Sequence, residues 1–75
     1  MRSNFSIIIA SVPDHDRVVA EIWFDNDQWA EMSFDNDSLQ LAVFAPETED
    51  MWQLDAEAVQ RALTEAKRQL LGDQQ

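Results

Sequence analysis

The sequence predicts an α+β fold: a four-stranded antiparallel β-meander with one C-terminal α-helix packed on one face. Three observations carry this. Runs between residues 17 and 44 alternate apolar and polar side chains. Two Phe-Asp-Asn-Asp segments, at 24–27 and 34–37, punctuate those runs. From residue 56 onward apolar residues recur at three- and four-residue spacing.

Taken in order, residues 4–11 (Asn-Phe-Ser-Ile-Ile-Ile-Ala-Ser) are β-branched and apolar on both sides, the pattern of a largely buried strand. Pro13 and Asp14-His15-Asp16 predict a turn. Residues 17–24 then place Val18, Ala20, Ile22 and Phe24 on one face and Arg17, Val19, Glu21 and Trp23 on the other. A third strand over 28–34 sets Ala30, Met32 and Phe34 against Trp29, Glu31 and Ser33. A fourth over 38–45 sets Leu39, Leu41 and Val43 against Gln40, Ala42 and Phe44, and ends near Pro46.

The acidic connection over 46–54 contains Met51, Trp52 and Leu54 as anchors to a core. Asp55 reads as an N-cap for a helix over 56–71, with Ala56, Val59, Ala62, Leu63, Ala66 and Leu70 as its apolar stripe. Glu57 near the start, Lys67 and Arg68 near the end and Gly72 just beyond agree with those limits. Such a helix cannot bury its stripe alone, so it is expected on the Val18, Ile22, Phe24, Met32, Phe34, Leu41 side of the sheet.

The chain has 75 residues, enough for one domain with a small core. At 45% apolar and 27% charged it has the composition of a folded protein, not of a disordered acidic tail. It has no cysteine, which removes disulfides and thiolate metal sites and fits a reducing compartment. The apolar run at residues 7–10 is too short for a secretory leader or a membrane span, so a cytoplasmic location is expected.

A formal net charge of −10, spread along the chain, argues against direct contact with nucleic acid or anionic membranes. It favours encounter with a basic protein partner, while also serving solubility.

Catalysis is not expected. The single histidine, His15, sits between carboxylates in a turn, there is no cysteine, and the one glycine, Gly72, cannot make a phosphate loop. No cofactor is implied. The Phe-Asp-Asn-Asp turns lack the glycine and distal glutamate of a helix-loop-helix calcium loop and fall at opposite ends of a meander, so they read as hairpin turns and not as a metal site.

Hairpin geometry then predicts where side chains meet. A three-residue turn at 25–27 pairs Phe24 with Gln28, Ile22 with Ala30, Trp23 with Trp29 and Glu21 with Glu31. A four-residue turn at 35–38 pairs Phe34 with Leu39, Met32 with Leu41 and Trp29 with Phe44. The helix-free face would carry a row of Trp23, Trp29 and Phe44 beside the opposed Glu21 and Glu31. Together with Asp25 and Asp27 of the adjoining turn, these residues form the expected partner-binding surface. The competing expectations for that face are cover by residues 46–54 or burial in a homodimer.

The stretch Glu21-Ile22-Trp23-Phe24-Asp25-Asn26-Asp27-Gln28-Trp29-Ala30-Glu31, followed by an alternating strand, Trp52 and a helix ending Ala66-Lys67-Arg68-Gln69-Leu70-Leu71, resembles small acidic bacterial immunity proteins of polymorphic-toxin and contact-dependent inhibition systems. The likeness spans residues 17–71 and is one of size, charge and pattern, with no diagnostic motif. It implies tight binding to a cognate toxin domain, commonly a basic nuclease. A phage-type inhibitor that mimics nucleic acid with its carboxylates, or a homodimeric assembly subunit, would share the same composition.

Overall fold

The computed structural model describes residues 4–12, 17–47 and 50–72. The expected turn at 13–16, with His15, lies outside them. Strands β1 (Phe5–Val12), β2 (Arg17–Phe24), β3 (Asp27–Asp35) and β4 (Ser38–Val43) precede helix α1 (Ala56–Leu71). The strands form one antiparallel sheet in the order β1-β2-β3-β4, a meander as the alternation predicts.

Both hairpins are tighter than expected. Phe24 pairs with Asp27 across Asp25 and Asn26, and Asp35 pairs with Ser38 across Asn36 and Asp37. Two-residue loops match the strand twist when the backbone enters the left-handed region, and Asp25 (φ 55°), Asn36 (φ 52°) and Asp37 (φ 65°) do so. Asp and Asn tolerate that region better than other side chains with a Cβ. Phe34 still meets Leu39 and Met32 meets Leu41, because shortening the second loop leaves its register unchanged.

The first hairpin differs. Ile22 opposes Ala30 and Glu21 opposes Glu31, as predicted, but Trp23 opposes Gln28 and the register shifts beyond Ile22. One residue of β3, Trp29, is therefore extra: a β-bulge. The bulge brings the Trp29 side chain onto the same face as its neighbour Ala30. There it is 8% exposed and sits edge-on to Phe5, with ring centroids 5.8 Å apart. Phe5 in turn packs on Phe24.

The helix lies on the predicted face. Asp55 caps it by accepting a hydrogen bond from the Ala58 N–H at 2.9 Å. Its buried stripe is Ala58, Ala62, Ala66 and Leu70, flanked by the partly buried Val59 and Leu63. Ala56, expected in the stripe, is exposed. Gly72 ends the helix in the right-handed region (φ −63°), its N–H bonded to the Arg68 carbonyl, so no left-handed cap forms.

The small alanine side chains meet Ala20, Ile22, Ala30 and Met32, and this cluster with Trp29 is the core. Val19, on the opposite sheet face, is also buried. Helix α1 packs mainly on β1 and β2, reaches β3 slightly and does not reach β4. Phe34, Leu41 and Val43 on the helix side consequently stay exposed, at 46%, 43% and 54%. β1 is an edge strand with Ile8 and Ile9 exposed, not the largely buried strand its composition suggested.

Candidate functional site

The β3 bulge rebuilds the expected aromatic row. Trp29 leaves the helix-free face for the core, where it is buried. The Phe44 N–H does bond to the Trp29 carbonyl at 2.9 Å, so these residues are backbone neighbours as predicted. Their side chains do not join in one row, because the bulge turns Trp29 inward. Gln28 takes its place opposite Trp23.

A cleft of about 470 Å³ opens at this end of the sheet. Trp23, Phe44 and Trp52 supply its aromatic lining, Asp27 and Glu47 its carboxylates, and Asn26 and Gln28 its neutral polar groups. Trp52 is brought there by the chain that leaves β4: its indole Nε1–H donates to the Phe44 carbonyl at 2.7 Å while its ring packs against the core. The Trp23 Nε1–H donates to Glu21 Oε1 at 3.1 Å. Both indole N–H groups are thus engaged within the protein, and what the rings offer a ligand is their apolar and π surface.

A smaller hollow of about 290 Å³ adjoins it, shares Asp27, Glu47 and Trp52, and adds Asp25. Glu21 and Glu31 stand directly opposite each other on β2 and β3, one step further along the sheet. Of the expected contact residues, Trp23, Phe44 and Asp27 meet in the cleft, Asp25 lies in the adjoining hollow, and Glu21 reaches the cleft through its bond to Trp23. Glu31 faces Glu21 but does not line the cleft.

The sequence offers Trp52 as an anchor to the core and the 46–54 connection as a cover for the aromatic face; Trp52 and Glu47 of that connection do reach Trp23 and Phe44, while Gln28 was not expected at the site. The signal for Trp52 was present in a tryptophan set within an acidic connection.

Aromatic faces next to carboxylates suit one kind of group, a desolvated cation. An ammonium or guanidinium over an aromatic face gains roughly 0.5–2 kcal/mol, and a carboxylate within hydrogen-bond reach adds to it. A larger hollow of about 820 Å³ runs along α1, lined by Glu57, Gln60, Arg61, Leu63, Thr64 and Glu65. Among the described residues it has walls from that helix alone, so nothing opposes a ligand across it.

Compared with protein-family models, with curated proteins and with solved structures, the chain finds no match.

Proposed function

We propose that the protein is a binding module for a basic protein partner, which it engages by receiving an arginine or lysine side chain in the cleft between Trp23, Phe44 and Trp52. The observation that carries this reading is the lining of that cleft: three aromatic side chains with Asp27 and Glu47 beside them, in a chain of net charge −10. The charge draws the partner in over a range limited by salt, and the rings hold the inserted side chain once it is desolvated. Glu21 and Glu31, repelling each other across the strands, offer a second seat for a cation.

Neutralisation of a cognate toxin domain is the biological role that fits. It requires a small acidic protein that binds tightly to a basic surface, and the likeness to immunity proteins rests on the same features. The test is capture from the source cell with the wild-type protein and with Phe44→Ala, a residue that is 39% exposed and lies outside the core. The expected result is a basic protein retained by the wild type and lost by the variant. Equal retention by both, or recovery of an acidic partner only, contradicts the proposal.

A further inference from the structure

A second surface lies along β4, whose last residue, Val43, precedes the cleft residue Phe44. We infer that the free edge of β4 pairs with β4 of a second copy of this chain, joining two sheets into one through a two-fold axis at Leu41. This does not rest on the cleft reading.

The backbone sets the register. The bond from the Phe44 N–H to the Trp29 carbonyl makes 44 and 29 a hydrogen-bonded pair. Antiparallel ladders alternate, so Ala42, Gln40 and Ser38 also aim their backbone groups at β3. The N–H and C=O groups of Leu39, Leu41 and Val43 therefore point away from the sheet, along an edge that the helix does not approach. Paired about Leu41, one copy's Leu39 faces the other's Val43, Leu41 faces Leu41, and Gln40 faces Ala42.

The occupant follows from charge. Proteins protect open edges with lysines, prolines, bulges or covering elements, and among the described residues β4 has none of these. From Ser38 to Pro46 the chain carries no ionisable residue, although it has fifteen Asp and Glu in all. A like-charged copy can approach closely only where charge is absent, and this edge provides that. The register also sets the exposed Leu41 and Val43 against apolar partners on the helix side.

The other edge, β1, is uncharged as well, but α1 packs over that half of the sheet, so joining there would crowd the helices of the two copies. A single strand pair buries less than the roughly 1,200 Å² of a stable complex, so the dimer is expected to dissociate on dilution.

The chain has no cysteine, so one can be introduced at a chosen position. Leu41→Cys sits on the axis, where hydrogen-bonded partners bring Cα atoms to about 5.5 Å, within disulfide reach. Under mild oxidation Leu41→Cys is expected to form a covalent dimer at least ten times faster than Ile8→Cys, which carries its thiol on β1. In parallel, the sedimentation mass of the wild type is expected to rise with concentration from 8.7 kDa toward twice that value, more readily in high salt. Leu41→Lys, at a position already 43% exposed, should hold it at the monomer mass. Equal cross-linking at both positions, a wild type that stays monomeric at several hundred micromolar, or association indifferent to Leu41→Lys would each overturn the inference.

Discussion

Replacing Trp29 by alanine separates the bulged register from the straight hairpin that the alternation implies. At 8% exposure the indole removes about 200 Å² from water. At roughly 25 cal/mol per Å² that is about 5 kcal/mol undiscounted, and residual burial in the unfolded chain together with what alanine keeps lowers it to about 2–4 kcal/mol. A chain of 75 residues has a total stability of roughly 4–11 kcal/mol, so the variant should lose a large fraction of it and unfold at a clearly lower urea concentration than the wild type. Trp23→Ala, at a half-buried ring on the other face, should cost well under half as much. Urea titration followed by far-ultraviolet circular dichroism measures both. A loss below about 1 kcal/mol for Trp29→Ala, or a larger loss for Trp23→Ala, would refute the bulge and return Trp29 to the surface.

Other outcomes follow from single contacts. Asp37→Gly, at φ 65° in the second loop of a two-residue hairpin turn, should stabilise the fold by about 0.5–1 kcal/mol in the same titration, because glycine enters the left-handed region freely. Glu31→Gln removes the repulsion from Glu21 and should stabilise by a few tenths of a kcal/mol; a loss would mean that Glu31 has a favourable partner. On α1, hydrogen bonds from Arg68 and then Gln69 hold the pKa of the Glu65 carboxyl at about 2, below the usual 4.5. The folded value lies below the unfolded one, so the stabilisation is present above pH 4.5 and fades as pH falls toward 2. Both side chains are well exposed, so the effect is screened by solvent. A carboxyl NMR titration should give a midpoint near 2 that rises in Arg68→Ala; a midpoint unmoved by that change contradicts the pairing.

The fold was legible where one period dominates. The alternation in Arg17–Phe24 and the stripe through Ala62, Ala66 and Leu70 each admit one element type, and the N-cap at Asp55 marks the helix start. What escaped was lateral placement. A period of 3.6 residues says which side of α1 is buried, but not that a narrow alanine stripe settles over β1 and β2 and leaves Leu41 and Val43 bare. Polarity alone likewise does not separate an edge from a central strand for Ser6-Ile7-Ile8-Ile9.

The bulge hid for a related reason. Asp25-Asn26-Asp27 supports a two- or a three-residue loop equally, and only the two-residue loop displaces Trp29 from the row. The adjacent apolar pair Trp29-Ala30 was the available hint, since a bulge turns neighbouring side chains to one face. The candidate site was therefore half readable. Trp23, Phe44 and Asp27 came from strand patterning, while Trp52 and Glu47 came from the path of an irregular connection.

The role proposed for this end of the sheet is to receive a cationic side chain. The direct measurement is a two-dimensional amide and indole NMR titration of the wild-type protein with N-acetyl-arginine amide, with the neutral N-acetyl-citrulline amide as control. The expected result is saturable shifts concentrated at the Trp23 and Trp52 indole N–H signals and at the Phe44 and Asp27 amides, with the citrulline compound at least tenfold weaker. Shifts spread evenly over the acidic residues, centred on α1, or equal for the two compounds would contradict it.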